Sequence, residues 1–436
     1  MPKETFVRDD CMEVLTAIDK NKYRKDRVIL HSDCNSFYAS VECLHNPQIR
    51  NLPVAVSGDA ENRHGIILAK NEIAKSYGVK TGEAIWQAKQ KCPQLVTMPP
   101  NFELYKRFSS MTRRIYSDYS DRVESFGLDE AWIDVTHIGE KNGIDIALEI
   151  KNRVKKELGI TVSIGVSFNK VFAKFGSDYK KPDAITVVSR ENYKDIVWNS
   201  PVQDLLYVGR ATRKKLNQIG IYTIKDIAQS DIELLRSHLG KWGDLIYGFA
   251  NGYDSSPVAH IDENSEVKSI GNSTTTPKDM QTLEDVKTVM YVLCDSVCRR
   301  MREQGLMAKT VGISVRDSEL STFTRQHTLN KHTNLTKDII KASMDIFVKN
   351  FRMGKPLRSI GVNVTEFVHN DVPQQINLFE DEIKRTQSEN LDKTLDSLKK
   401  RFGNYIVRPA FLLRDTQLSG FNPKDDHTIH PAGYLR

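Results

Sequence analysis

Cysteine is scarce in this chain, with 6 residues in 436. That density excludes a disulfide-stapled scaffold and predicts a reducing, cytoplasmic setting. Cys11, Cys34, Cys43 and Cys92 have no zinc-ligand spacing. Cys294 and Cys298 share a helical stripe with Val286, Met290, Leu293, Val297 and Met301, so both are expected in a helix core. Long apolar runs are missing too. No window nears the roughly 20 apolar residues that cross a bilayer. The first residues, with Lys3, Glu4, Arg8, Asp9 and Asp10, lack the apolar stretch of a signal peptide. Internal repeats and low-complexity tracts are absent. Neither charge sign is short: 63 Lys and Arg against 56 Asp and Glu leave a net +7. This modest excess is weak support for a polyanionic partner. The length implies about two to four domains.

Two segments carry the chemistry. The apolar run Val28-Ile29-Leu30-His31-Ser32 ends on Asp33 and passes into Cys34-Asn35-Ser36-Phe37-Tyr38-Ala39-Ser40-Val41-Glu42. The segment Gly127-Leu128-Asp129-Glu130-Ala131-Trp132-Ile133-Asp134 presents two adjacent carboxylates in a hairpin and continues as a strand. Asp33, Asp129 and Glu130 on strand ends suit two hard divalent metals held against phosphate oxygens, with the Cys34 carbonyl completing the set. Either segment alone reads equally as a helix cap or turn chemistry. Together they point to phosphoryl transfer.

Periodicity places these segments in a strand-helix-strand-strand-helix-strand order, the ferredoxin-like pattern, over 28–167. Its core strands bring Asp33 and Asp129-Glu130 to one edge. Triphosphate cations are sought among Lys70, Lys75 and Lys181, with Arg63 in a loop; solvated surface lysines are the plain alternative. Spacing assigns Phe37 to the core. It leaves Tyr38 open between a core anchor and a group that packs under the incoming sugar.

Val208-Gly209, a helix over 212–218, Gly220 and Thr223 form a helix-hairpin-helix pattern. Its turn N–H groups and the cations Arg210, Arg213, Lys214 and Lys215, with Thr212 between them, suit DNA phosphates. A plain helical hairpin is the alternative. Residues 255–269 read as a linker. The stretch 270–367 has helices near 282–304 and 336–350 and alternating strands such as 310–316 and 360–367. With 15 Lys and Arg against 10 Asp and Glu, it holds most of the net charge. It serves either a duplex backbone or a solvated face. Beyond 368 come an acidic segment with Gln375-Ile376-Asn377-Leu378-Phe379, a helix over 386–402, and a polar end from 417 expected to be loose.

The first motif resembles the D-x-[DN]-x-F-[FY]-A-S-V-E signature of Y-family translesion DNA polymerases. Leu128-Asp129-Glu130-Ala131-Trp132-Ile133-Asp134-Val135 is similar to their second carboxylate segment. Gly165-Val166-Ser167-Phe168-Asn169-Lys170-Val171-Phe172-Ala173-Lys174 with Lys180-Lys181-Pro182 resembles a third. The similarity covers roughly 27–367 and is nearest the bacterial polymerase IV-like branch, of Gram-positive type, with the polymerase V catalytic subunit as a neighbour. It implies an α+β multidomain right hand. The palm is 27–37 with 101–190, small fingers are 38–100, and the helix-hairpin-helix thumb is 191–259. After a linker at 260–269 come an α/β little finger at 270–367 and a tail at 368–436; residues 1–26 are an extension without assignment.

The resemblance also implies the site. Asp33, the Cys34 carbonyl, Asp129 and Glu130 hold two Mg²⁺; Tyr38 is the sugar gate; Phe37, Lys70, Lys75 and Lys181 belong to the nucleotide site. Substrates are dNTP and primer-template DNA, used by a monomer that adds nucleotides with low fidelity in damage tolerance. Ser36, Ala39, Ser40 and Ala69 leave the nascent pair loosely enclosed, and no second acidic cluster suggests proofreading. Gln375, Ile376, Leu378 and Phe379 resemble the peptide that docks polymerases on the bacterial sliding clamp. The chain departs from the family in Glu72, where Tyr is frequent, in Lys75, where Arg is frequent, and in Gly127, where Ser is frequent. Two rivals are a nucleotidyl cyclase on the same palm and a DNA- and clamp-binding scaffold. The first predicts no helix-hairpin-helix and no basic unit; the second predicts a broken carboxylate set.

Overall fold

The computed structural model describes residues 27–58, 65–137, 142–263, 266–372 and 382–423. Residues 1–26, Arg63 and the peptide 375–379 lie outside them. The chain divides into two units, one built from 1–57 and 67–264 and the other from 265 onward.

The first unit starts with β1 (Ile29–Cys34) and α1 (Phe37–His45), then β2 (Val54–Ser57), β3 (Ile67–Lys70), α2 (Glu72–Ser76), α3 (Ile85–Lys91) and β4 (Val96–Met98). It continues through α4 (Phe102–Ser117), β5 (Val123–Ser125), β6 (Glu130–Asp134), α5 (Gly143–Arg153), β7 (Val162–Ser167), α6 (Lys170–Tyr179) and β8 (Ile185–Val188). The main sheet runs β5-β6-β1-β7-β8. Strand β1 is antiparallel to both neighbours, and β8 joins β7 in parallel. The order β7-β1-β6-β5 is the ferredoxin-like arrangement expected from the sequence, extended by one edge strand.

All six residues of β1 are buried, the polar His31, Ser32 and Asp33 included, because the strand is central in the sheet. Leu30, Ile133, Ile164, Tyr105, Ile115 and Ile150 join sheet and helices in one core. Gly165 on β7 is obligatory: a Cβ there would meet Ala173 O at 1.9 Å and Ser177 N at 2.6 Å. Helix α6 therefore lies against the sheet and carries Lys174, Ser177 and Asp178 over β1. A smaller sheet, β3-β2-β4, has its own core of Ala55, Ile67, Ala74, Ala88 and Leu95.

Four short helices follow: α7 (Arg210–Gln218), α8 (Ile224–Gln229), α9 (Ile232–Leu239) and α10 (Lys241–Ala250). Gly220 has φ +81°, the left-handed turn a glycine permits. Thr223 caps α8 by accepting from Asp226 N at 3.2 Å. Leu216, Ile221, Ile224 and Ile227 fill the space between these helices.

The second unit contains β9 (Ser269–Met280), α11 (Leu283–Glu303), β10 (Leu306–Asp317), β11 (Thr322–Thr333), α12 (Thr336–Asn350), β12 (Leu357–His369), α13 (Glu382–Phe402) and α14 (Thr416–Ser419). Its antiparallel sheet runs β11-β10-β12-β9. Val289, Leu293, Cys294, Val297 and Cys298 of α11 are buried against it, so both cysteines are core residues as their spacing implied.

The tail corrects one expectation. Residues from 417 were expected to be loose, yet Leu418 is fully buried in this core. Asn272 Nδ2 donates to Pro423 O at 3.0 Å, and Lys278 Nζ lies 2.5 Å from Asp415 Oδ2. Helix α13 is pinned by Arg302, whose Nε donates to Asp396 at 2.6 Å and whose Nη1 lies 3.1 Å from Asp392. Apolar residues spaced too sparsely for a periodic pattern still find the core, because charge pairs fix the helix that leads to them.

Candidate active site

The antiparallel register sets Asp33 opposite Glu130. Cys34 N donates to Asp129 O at 2.8 Å, which ties the hairpin turn to the end of β1. Asp33 therefore shares one sheet edge with Asp129 and Glu130, although 96 positions separate it from Asp129. Gly127 leaves room for them: a Cβ there would sit 3.3 Å from Asp129 Oδ1 and 3.4 Å from Glu130 Cγ.

Burial pushes Asp129 up to about 7, and the negative charges of Asp33 and Glu130 add to the shift. Glu130 is raised as well, by burial first, with Lys174 opposing. The Cys34 thiol is driven well upward by burial and by Asp129 and Asp33. Like charges in a low-dielectric pocket call for cations, and α6 with the turn after it supplies two. Lys174 Nζ lies 2.5 Å from Glu130 Oε2, 3.2 Å from Asp33 Oδ2 and 3.1 Å from Asp178 Oδ2. Lys181 Nζ lies 2.7 Å from both Asp33 and Asp178. Burial pulls the Lys174 ammonium down, but Asp33, Glu130 and Asp178 together hold it above its usual value.

Among the described residues no three His, Cys, Asp or Glu side chains are already gathered closely enough to hold a metal ion. The donor chemistry nonetheless fits a hard divalent ion: hard oxygen ligands, mutual repulsion and partial burial. Asp33, Asp129, Glu130 and the Cys34 carbonyl are the groups that would hold it.

Tyr38 lies on α1, half-buried, and stacks on Tyr105 with centroids 4.3 Å apart and planes 10° apart. Phe102 meets it edge-on at 5.9 Å. The Tyr105 hydroxyl donates to the buried Glu42 at 2.5 Å. Burial, aided by Asp129, pushes Tyr38 up to about 12, so its hydroxyl stays neutral. The Phe37 ring is 3 % exposed and lies in the core, where spacing put it. Ser36 opens α1 in the left-handed region at φ 48° and donates to Glu72 Oε1 at 3.3 Å. Lys75 Nζ lies 3.4 Å from Glu72, and Lys70 Nζ donates to Thr81 at 3.1 Å. Of the three candidate lysines, only Lys181 is paired with a cluster carboxylate.

Sequence reasoning assigned no role to Lys174, Asp178 or His31. Lys174 closes the third family motif, and its spacing of four from Asp178 on one helix was a further local signal. Arg210, Arg213 and Lys214 are exposed on α7, Thr212 is half-buried, and Val208 is a buried anchor beneath Gly209.

Comparison with known proteins identifies the family. Residues 32–178 match the impB/mucB/samB family and residues 267–378 match that family's C-terminal domain. A solved Y-family DNA polymerase chimera superposes with a TM-score of 0.69, covering 79% of this chain and all of that one at 24% identity, which establishes the fold. The fold and its carboxylate edge thus define a Y-family polymerase, an enzyme of DNA-directed DNA synthesis.

DNA polymerase IV of Acetivibrio thermocellus is 52% identical over 395 residues, spanning 90% of this chain and 99% of that protein. DNA polymerase IV 2 of Bacillus subtilis is 36% identical over 398 residues, 89% of this chain and 95% of that protein. The chain belongs to the DNA polymerase IV family. No helix among the described residues is long and apolar enough to cross a membrane.

Proposed function

We propose that this polymerase performs low-fidelity translesion synthesis by two-metal nucleotidyl transfer. The observation that carries the reading is the meeting of Asp33, Asp129 and Glu130 at one strand edge. Two Mg²⁺ ions held there would activate the primer 3′-hydroxyl and neutralise charge on the triphosphate. The protein's part is orientation. Asp33, Asp129, Glu130 and the Cys34 carbonyl would hold the ions, with Glu130 on the side of the primer hydroxyl. Lys181 moves from Asp33 to the triphosphate, with Lys70 and Lys75 as further cations and the Phe37 backbone alongside. Glu72, paired with Lys75 where the family often has Tyr, weakens the grip at that corner. Tyr38 lies under the sugar and excludes a 2′-hydroxyl.

Residues 27–37 with 101–190 act as palm, 38–100 as fingers, 191–259 as thumb and 270–367 as little finger. The turn at Gly209 and Gly220, with Arg210, Thr212, Arg213 and Lys214, grips duplex phosphates without reading bases. The peptide 375–379 docks on the sliding clamp. The enzyme acts as a cytoplasmic monomer in damage tolerance. Primer extension on intact and lesion-bearing templates, with and without Mg²⁺, tests the reading. Full activity without divalent ions, or in Glu130→Gln, refutes it.

A further inference from the structure

His31 has no role in the reading above. It lies within β1, fully buried, opposite Trp132 on β6 and Gly165 on β7. Strand alternation places it on the same face as Asp33, two residues on, and cross-strand pairing puts Glu130 on that face too. Its ring packs edge-on against Trp132, with centroids 5.1 Å apart. Nδ1 lies 2.8 Å from Ser177 Oγ. Nε2 faces Glu130 Oε2 at 3.5 Å and makes no hydrogen bond within the described residues.

Ser177 decides the tautomer, because its hydroxyl has one proton. With that proton directed to Lys174 O at 2.8 Å, Nδ1 must be the ring donor. Nε2 is then a bare lone pair facing a carboxylate oxygen, acceptor against acceptor in a pocket without solvent, which is costly. Turning the Ser177 hydroxyl toward Nδ1 moves the ring proton to Nε2, and Nε2–H can then donate to Glu130. The Lys174 carbonyl keeps its helix ladder in either case.

We propose that His31 is the positioning residue for Glu130: Ser177 donates to Nδ1, and Nε2–H donates to Oε2 and sets the carboxylate's direction. This rests on Glu130 belonging to the active site. The other restraint on Glu130 is the Lys174 ammonium, a point charge on a flexible stem shared with Asp33 and Asp178. A planar ring held between Trp132 and Ser177 gives a fixed direction that an ammonium cannot. Losing such an outer partner of a metal-ligating carboxylate costs about 10–100-fold in metal affinity or activity.

The test uses the full chain. His31→Phe keeps the ring's bulk against Trp132 and removes the donor; His31→Gln returns an N–H near the same position. Mn²⁺ binding is measured by calorimetry, and kcat and dNTP KM by single-nucleotide primer extension. His31→Phe is expected to lower kcat and weaken Mn²⁺ binding about 10–100-fold with KM nearly unchanged, and His31→Gln to recover most of both. Unchanged values in His31→Phe, or equal losses in the two variants, overturn the proposal. ¹⁵N shifts of the wild-type His31 ring test it independently of whether a variant folds: an Nε2–H tautomer supports it, and an Nδ1–H tautomer overturns it. Glu130→Gln separates the two levels. An active Glu130→Gln defeats the active-site reading, whereas an inactive one beside a fully active His31→Phe defeats only the role of His31.

Discussion

Asp33 and Glu130 stand opposite each other on neighbouring strands, and one ammonium, that of Lys174, contacts both. Two carboxylates in register on one face repel. The fold keeps them there because β1 is buried and its register cannot slip without turning every core residue outward. Lys174 of α6 and Lys181 just beyond it offset the charge, and Lys174 reaches the edge because Gly165 lets that helix approach.

Asp129→Asn should raise the stability of the metal-free protein at neutral and alkaline pH. Asp129 titrates near 7 in the folded state, against about 3.9 unfolded. The folded state therefore binds this proton more tightly, and its contribution to stability falls as pH rises from about 4 to about 7. Roughly three units at 1.36 kcal/mol each set an upper bound of about 4 kcal/mol, shared with the coupled carboxylates. Melting curves without divalent ions should show a gain at pH 8 that is clearly larger than the gain at pH 5. Added Mg²⁺ should stabilise the wild type more than the variant; equal shifts would count against metal binding at Asp129.

Tyr38→Ala should admit ribonucleotides. The ring is held by Tyr105 and Phe102, so truncation opens space under the sugar. Competition between rNTP and dNTP should show discrimination falling at least about tenfold, within the range that steric pockets command. Unchanged discrimination removes the gate role.

Gly165→Ala should destabilise the first unit by about 2–3 kcal/mol or more and reduce activity with it. The clash is with backbone atoms of α6, so relief requires moving Lys174 and Asp178. A variant with wild-type melting and wild-type kcat would show that α6 is not anchored there.

Arg302→Ala should release the tail. It leaves Asp392 and Asp396 without their buried partner, a loss of about 3 kcal/mol. Limited proteolysis should then cut within 382–423 before the rest of the second unit. Resistance equal to wild type would refute the pinning of α13.

Leu378→Ala with Phe379→Ala should abolish stimulation by the sliding clamp while leaving clamp-independent primer extension intact. Persistent stimulation excludes this peptide as the docking segment.

Local pattern was enough for much of this protein. The short apolar run Val28-Ile29-Leu30 announces the start of a buried strand, and the spacing over 102–117 announces an amphipathic helix; each is encoded in residues that are neighbours along the chain. The placement of Asp33 and Asp129-Glu130 at strand ends was legible for the same reason. Strands β9 and β11 were not. β11 is mostly exposed and polar, with Thr324, Arg325, Gln326 and His327 in succession, and β9 carries serine and threonine where apolar alternation would be diagnostic. The buried tail was also illegible, because Leu418 meets its core only after α13 is pinned by charges on α11.

The sequence by itself determined which chemistry is possible, because Asp33 with the aromatic pair Phe37-Tyr38, the Asp129-Glu130 pair and the helix-hairpin-helix pattern are each short contiguous patterns. Only the tertiary structure decided the electrostatics of the site. Lys174 reaches Asp33 across 141 positions, and His31 reaches Ser177 across 146. Such pairs arise from strand register and from a helix seated on a glycine, and no local periodicity encodes the distance between residues that far apart in the chain.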